Sequence, residues 1–486
     1  MPAIESAAAS KPSASTLTLD HWFNGSPQRP TTGRYRDSLD PRTGELVAYV
    51  ADGSADDVAS AVRSAVTGAE RWRRLPPAAR GRILVALARL IRAAADDFAD
   101  REIADTGKPR ALALAEVEGS AAYFEFYGGV INAVAGETID LGPDFHSYTQ
   151  REPFGVVGII TPWNLPLNQA ARAAAPALAV GNAVVLKPSS LTSATSIRLA
   201  EVAADAGLPP GVLNVVLGGG SIVGRALVEH PDVRKIAFTG SVEVGRELGA
   251  IAADRIIPMT LELGGKSANI VFGDADLERA ATGSVRAFTQ NAGQVCSAGT
   301  RLLVARSAHE ELLERMVREI AVVRPGVELG PLISQGQLDT VIGYLEVAER
   351  EGAHPIVGGL AAIDRAARGY FVPATILDGV TNDMRIAREE IFGPVVVVIP
   401  FDTEAEAIDI ANDSDFGLVA GLWTRDLSRA LRVADRLEAG QIFVNSWSTG
   451  AVQTPFGGYK SSGYGREKGV EALHHYSQLK SVTVAL

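Results

Sequence analysis

The chain has one cysteine among its 486 residues, Cys296, at the end of the run Gln290-Asn291-Ala292-Gly293-Gln294-Val295-Cys296. A solitary thiol makes neither an internal disulfide nor a thiolate-rich metal site, which leaves a small buried hydrophobe or a nucleophile. Composition by itself favours the hydrophobe, because unpaired cysteine is among the most buried residue types. The setting favours the nucleophile. The run follows a stretch of helical periodicity, Leu277 to Phe288, and precedes a strand-like stretch, Arg301 to Val304. Cys296 is thus placed in a loop, where functional groups gather.

The clearest positioning elements lie between residues 156 and 262. Short apolar runs at Val156 to Ile160, Ala183 to Leu186, Leu213 to Val216, Lys235 to Phe238 and Met259 to Glu262 alternate with helical stretches of crossover length. That alternation predicts an α/β fold with a doubly wound parallel sheet, whose ligands bind beyond the carboxyl ends of the strands. The residues just after the runs include Thr161-Pro162-Trp163-Asn164, Lys187-Pro188-Ser189-Ser190, Gly218-Gly219-Gly220, Thr239-Gly240-Ser241 and Leu263-Gly264-Gly265.

Before this region the spacing predicts three helices. The first runs from Ser54, its cap, to Trp72; the second opens at Pro76-Pro77 and ends at Asp105-Thr106-Gly107-Lys108-Pro109; the third covers Ala111 to Val134. Tyr123, Phe124, Phe126 and Tyr127 on the third read as core. His146 to Arg151 and Leu479 to Leu486 alternate as strands outside the main sheet, and a second alternating α/β region follows Gly265.

Hydrophobic residues at 47% and charged residues at 21% describe a globular protein, and a net charge of −11 argues against nucleic acid and anionic membrane surfaces as partners. No stretch reaches the roughly 20 apolar residues of a membrane helix. Residues 1–17, rich in Ala and Ser, read as a disordered tail and not as a secretory signal. A single cysteine fits a reducing, cytoplasmic setting.

No stretch matches G-x-G-x-x-G, so the usual dinucleotide fingerprint is absent. Gly218-Gly219-Gly220 with Gly224, and Gly240 with Ser241 and Gly245, each lie between a strand and a helix. There the free amides and the helix dipole can receive a pyrophosphate, although glycine after a strand is more often only a turn.

Taken together, Pro162-Trp163-Asn164, Lys187-Pro188, Phe238-Thr239-Gly240-Ser241 with Gly245, Glu262-Leu263-Gly264-Gly265, Gly293-Gln294-Val295-Cys296, Glu390-Ile391-Phe392-Gly393-Pro394 and Pro455-Phe456-Gly457-Gly458 resemble the aldehyde dehydrogenase superfamily. The resemblance covers nearly the whole chain. It implies a dinucleotide-binding domain from 18–130 and 152–262, a catalytic domain from 263–462, and a bridging β element from 131–151 and 463–486 used in homodimers or homotetramers. It favours Gly240 and Gly245 over the triple glycine as the cofactor turn. Thr161, Trp163, Lys187, Ser190, Ser241, Leu263, Glu390 and Phe392 would join them around NAD or NADP. The compact Arg324 to Pro331 segment is shorter than in many relatives, which is expected to leave the chemistry untouched.

The implied reaction explains the residue types. An aldehyde has no leaving group, so hydride removal first needs a tetrahedral adduct, which the Cys296 thiolate can form. The resemblance assigns the Asn164 amide and the Cys296 backbone N–H to the oxyanion, Glu262 to activation of the hydrolytic water, and Lys187 to the adenosine ribose. Singly, Asn164 reads as a turn residue, Lys187 as a solvated charge and Glu262 as an ion-pair partner. Glu389 keeps the reading of a surface carboxylate.

Many NAD-preferring relatives carry a glutamate where this chain has Ser190, and a neutral hydroxyl does not repel a 2′-phosphate, so use of NADP is expected as well as NAD. The implied substrate pocket holds Leu165, Gln169, Arg172, Gln290, Val295, Ser297 and Phe456. Arg172 needs an anionic partner, either a substrate oxygen or a protein carboxylate. Succinate-semialdehyde relatives often add a second arginine where this chain has Gln290, which tilts the reading toward aromatic aldehydes. The alternatives are a succinate-semialdehyde dehydrogenase, a CoA-acylating enzyme that would ordinarily lack Glu262, and a non-enzymatic member that would have lost the nucleophile.

Overall fold

The computed structural model describes residues 17–447 and 450–486. The expected tail falls outside this range except for Leu17, which opens the strand Leu17–Leu19 paired with Leu46–Ala51. Among the described residues no helix is long and apolar enough to cross a membrane.

The predicted parallel strands form the centre of an eight-stranded sheet. In spatial order its strands are Gly463–Tyr464, Met259–Glu262, Val233–Thr239, Val156–Ile160, Ala183–Lys187, Leu213–Val215, His21–Phe23 and Ser26–Gln28. The five central strands are parallel, and their residues are buried apart from one, as expected for strands covered on both faces. The direction of growth reverses between Val156–Ile160 and Val233–Thr239, which creates a topological switch point at their carboxyl ends. A seven-stranded sheet carries the second region, in the order His354–Val357, Thr375–Asp378, Val395–Phe401, Arg301–Ala305, Ala268–Val271, Val419–Trp423 and Gln441–Val444. Only its first pair is antiparallel.

The helices depart from expectation in one place. The predicted second helix is two, Pro77–Ala93 and Ala95–Thr106, separated at Ala94, whose φ of −101° and ψ of 22° leave the helical region. Apolar periodicity continues across the break, and alanine gives no sign of a turn. The first helix, Ala55–Arg73, has the expected Ser54 cap, closed as a capping box with Asp57. The third, Arg110–Val130, ends four residues before Val134 in a short tight turn. Tyr123, Phe124 and Tyr127 are buried in the core that packs helices against the first sheet.

Two terminal segments behave differently from one another. Ser477–Ala485 pairs over nine positions with Phe145–Pro153, and Thr138–Ile139 completes a separate antiparallel sheet. Gly463–Tyr464, grouped from the sequence with that terminal strand, instead closes the edge of the eight-stranded sheet, with Gly463 opposite Glu262. This approach requires glycine: φ at Gly463 is +115°, and a Cβ there would lie 2.0 Å from the Leu261 carbonyl oxygen. Gly463→Ala is therefore expected to cost about 1–3 kcal/mol, read as a lowered urea midpoint at unchanged m value. An unshifted midpoint would show that the edge can yield.

Candidate functional site

The carboxyl ends of the central strands open onto a cavity of about 250 Å³. Its wall combines Pro162, Trp163 and Asn164 from the end of Val156–Ile160, Gln169 from the helix Pro166–Ala179, and Thr239, Gly240 and Ser241 from the end of Val233–Thr239. Glu262, Leu263 and Gly264 close it along the next strand, and Cys296, Gln337, Glu390 and Phe392 face them from the second region. The cavity therefore lies at the switch point, between the two sheets.

The cysteine loop is fixed by an unusual backbone. Asn291, Ala292 and Gly293 have consecutive φ values of 52°, 55° and 71°, a left-handed run that costs a non-glycine residue about 1–2 kcal/mol. A Cβ on Gly293 would sit 2.0 Å from the Gly393 carbonyl oxygen, so only glycine fits there. Side-chain bonds hold the strain in place. The Asn291 amide donates to the Asn164 carbonyl at 2.9 Å, and the Asn164 amide donates to the Gln294 carbonyl at 2.9 Å. Gln294 in turn donates to the Asn291 and Pro331 carbonyls at 3.1 and 3.2 Å and accepts from the Ile333 N–H at 2.9 Å. The compact 324–331 segment, expected to leave the chemistry untouched, thus ends on an anchor of the cysteine loop. Each amide nitrogen has two hydrogens, so the Asn164 bond to Gln294 leaves one N–H uncommitted by that contact.

Glu262 is 1% exposed and neither carboxylate oxygen has a hydrogen-bond partner. Burial, and next the neighbouring Glu467, hold its pKa well above the usual carboxylate range, while Arg172 pulls the other way. Cys296 is half-buried; burial pushes its thiol up to about 12, opposed by Arg172. Arg172, 4% exposed, forms an ion pair with Glu467, itself 1% exposed, and its guanidinium lies 5.1 Å from the Phe456 ring centre. Of the two partners that the sequence allowed for Arg172, the structure supplies the protein carboxylate. Arg172 does not line the cavity, although its charge acts on both Glu262 and Cys296.

On the other side, Ser241 caps the helix Val242–Asp254, and Gly245 in its first turn would place a Cβ 2.7 Å from Leu263. The helix N-terminus therefore faces the cavity with free amides and the positive end of its dipole. Glu390 accepts the Gly265 N–H at 3.1 Å, and a Cβ on Gly264 would meet its carboxylate at 2.2 Å. Burial pushes Glu390 up to about 7, opposed by that N–H and by Lys266. Phe392, at φ 58°, meets Trp163 edge to face with centres 5.2 Å apart, and the Gln337 amide donates to the Ile391 and Phe392 carbonyls at 3.1 and 3.0 Å. Lys187 is buried, its ammonium donates to the Pro188 carbonyl at 2.9 Å, and burial followed by the charge of Arg36 lowers it to about 8. A buried amine without a carboxylate partner, beside the buried and unpaired Thr161 hydroxyl, fits a ribose or phosphate group.

Trp163, Asn164, Gln169, Gly240, Ser241, Glu262, Leu263, Cys296, Glu390 and Phe392 thus share one cavity. Thr161, Lys187, Ser190 and Gly245 flank it on the side of the strand ends without lining it. Leu165, Gln290, Val295, Ser297 and Phe456, expected in a substrate pocket, are not part of its wall. Phe456 instead joins the apolar cluster against which Cys296 packs. Glu389 bonds Arg385 at 2.9 Å and accepts from the Tyr344 hydroxyl at 2.8 Å, a surface arrangement as expected. Sequence reasoning missed Gln337 and Glu467. The one available signal for Gln337 is its place three residues after the helix cap Ser334; Glu467 looks like any charged loop residue.

A sequence model of the aldehyde dehydrogenase family matches residues 29–482. Among solved structures, the chain is 39% identical to the Pseudomonas syringae AldA indole-3-acetaldehyde dehydrogenase, a cysteine-to-alanine mutant in complex with NAD+ and IAA, over 97% of both chains at a TM-score of 0.95. An indole-3-acetaldehyde dehydrogenase complexed with NAD+ matches at 40% identity, 97% coverage of both chains and a TM-score of 0.95. The aldehyde dehydrogenase KauB from Pseudomonas aeruginosa matches at 38%, 97% of both chains and 0.95.

The raised thiol pKa has a measurable sign. Thiolate is the reactive form, so alkylation of Cys296 by iodoacetamide in the unliganded protein should accelerate about tenfold per pH unit from pH 7 to 9.5. A plateau below pH 8.5 would mean that the thiol is already ionised there.

Proposed function

The chain belongs to the aldehyde dehydrogenase family, and from that premise we propose that it oxidises a neutral, aromatic aldehyde to the carboxylic acid, with Cys296 as nucleophile and Glu262 as the base for hydrolysis. It is an NAD-dependent enzyme of the oxidoreductase class. The observation that carries the substrate reading is the pairing of Arg172, the cation expected in the substrate pocket, with the buried carboxylate of Glu467. A dicarboxylic semialdehyde would bring its second carboxylate to an arginine whose charge is already matched. The nearby arginine is already committed to Glu467. Two of the similar structures are indole-3-acetaldehyde dehydrogenases, whose named substrate is a neutral aromatic aldehyde.

The steps follow from the residues present. Ionised Glu262 takes the thiol proton, and the Cys296 sulfur adds to the carbonyl carbon. Negative charge then develops on the former carbonyl oxygen, which the free Asn164 amide N–H and the Cys296 backbone N–H receive in a site largely shielded from water. When bound along the Gly240-Ser241 turn, the nicotinamide cofactor supplies the hydride acceptor, and a thioester remains on Cys296. Once that first proton has passed to solvent, Glu262 removes a proton from water, whose oxygen attacks the thioester carbon; collapse expels the sulfur, which takes the proton back from Glu262, and the acid and the thiol are released. The raised pKa of Glu262 suits a group that must first accept one proton and then another near neutrality. Release to coenzyme A is disfavoured because a water-activating carboxylate is in place.

Lys187 and Ser190 would hold the adenosine ribose, Glu390 the nicotinamide ribose, and Phe392 with Trp163 the ring edge. With Ser190 neutral, a 2′-phosphate meets no carboxylate at that position and meets the charge of Lys187, beside Arg36 in its pair with Asp52. NADP is therefore used alongside NAD; kcat/KM measured for each should differ by less than about a thousandfold, and a larger preference for NAD would count against this reading of the pocket.

Benzaldehyde-type and succinate-semialdehyde substrates, compared side by side, test the substrate class; a higher kcat/KM for the dicarboxylic compound would reject it. For the mechanism, Cys296→Ala should abolish oxidation. Glu262→Gln should retain a reduced-cofactor burst of about one equivalent per site and lose steady-state turnover by about 10²-fold or more. Full steady-state activity in the cysteine variant would reject covalent catalysis.

A further inference from the structure

Lys108 lies in the tight turn between the helices Ala95–Thr106 and Arg110–Val130, and it is 3% exposed. Its ammonium donates to Glu116 Oε1 and Oε2 at 2.7 and 2.8 Å, to Glu102 Oε1 at 3.2 Å, and to the main-chain carbonyl of Asn164 at 3.1 Å. We infer that Lys108 is a positioning residue for the oxidation, holding the Asn164 main chain so that the side-chain amide points where the oxyanion forms. The inference rests on the role of Asn164 proposed above.

Stability alone gives a weak account of this cluster. Burying three charged side chains carries a desolvation cost that their attraction often fails to exceed, and well-packed apolar residues of similar volume commonly serve as well. What an apolar residue cannot supply is a hydrogen bond to the Asn164 carbonyl. That oxygen accepts a second bond from the Asn291 amide at 2.9 Å, and the Asn164 side chain continues to the Gln294 carbonyl, two residues before Cys296. Lys108 therefore sits at the base of a chain that runs through the proposed oxyanion donor into the left-handed loop of the nucleophile. The same turn packs against the segment that anchors Gln294. A Cβ on Gly107 would lie 2.5 Å from Pro331, and one on Gly330 would lie 3.3 Å from the Lys108 Cα. The two carboxylates keep the amine protonated despite burial, so its donor capacity does not lapse near neutral pH.

The test is a mutant cycle on the full-length protein. Lys108→Met combined with Glu102→Gln and Glu116→Gln replaces the ions by neutral groups of similar size, removing the donor to Asn164 together with the ion pairs and leaving no unpaired charge. The expected result is a kcat at least about tenfold lower with the KM for NAD and the melting temperature close to those of the parent, and a combined variant with Asn164→Ala no slower than Asn164→Ala alone. The single variant Lys108→Arg, which keeps a donor, should recover part of the kcat. An unchanged kcat, or losses that multiply with that of Asn164→Ala, would overturn the inference. Full activity in Asn164→Ala alone would instead overturn the oxyanion reading, which separates the two failures.

Discussion

A buried carboxyl group with no protein partner on either oxygen is among the costliest groups a protein can keep, and among the described residues Glu262 has none. Its presence dictates much around it. It stands at the carboxyl end of a central strand, opposite Gly463, where the backbone of an edge strand closes over it. It shares its surroundings with a second buried carboxylate, Glu467, whose charge would make ionisation harder still were Arg172 not paired with it. The arginine thus neutralises one carboxylate and moderates the other, and the same field lowers the cost of forming a thiolate at Cys296. An enzyme that must move a proton on and off one group near neutral pH needs that group poised, and burial poises it.

Glycine makes the convergence possible. Gly264 and Gly265 let Glu390 rest on the backbone, Gly245 lets a helix N-terminus close on Leu263, and Gly293 lets the nucleophile loop touch Gly393. Each is a point where main chain approaches main chain or a side chain more closely than a Cβ allows. The rigidity of the site then comes from amides: Asn164, Asn291, Gln294 and Gln337 each tie a loop carbonyl to a neighbouring loop. None of these carries charge, so the loops are fixed without disturbing the electrostatics of the thiol and the carboxylate.

The parallel strands were legible in the sequence because strands covered on both faces are continuous apolar runs, and four of the five begin and end within one residue of the expected positions. The fifth, Val233–Thr239, is longer than its apolar centre because Arg234 interrupts the pattern. The break at Ala94 was hidden, since a change of direction between two helices of matching periodicity leaves no compositional trace. The partner of Arg172 was hidden for a related reason: sequence shows that a buried arginine needs an anion, and cannot show that Glu467, nearly three hundred residues away, provides it.

By itself the sequence determined the candidate set: one thiol in a loop, an amide and a carboxylate each just beyond or at the end of an apolar run, and glycines between strands and helices. These are properties of residue type and local period, which a chain carries in any conformation. Which of the candidates meet, which charges are already paired, and which bonds hold the Asn164 carbonyl were decided by tertiary structure alone. Burial, electrostatic neighbours and hydrogen-bond partners are distances between segments remote in the chain, and only the packed fold assigns them.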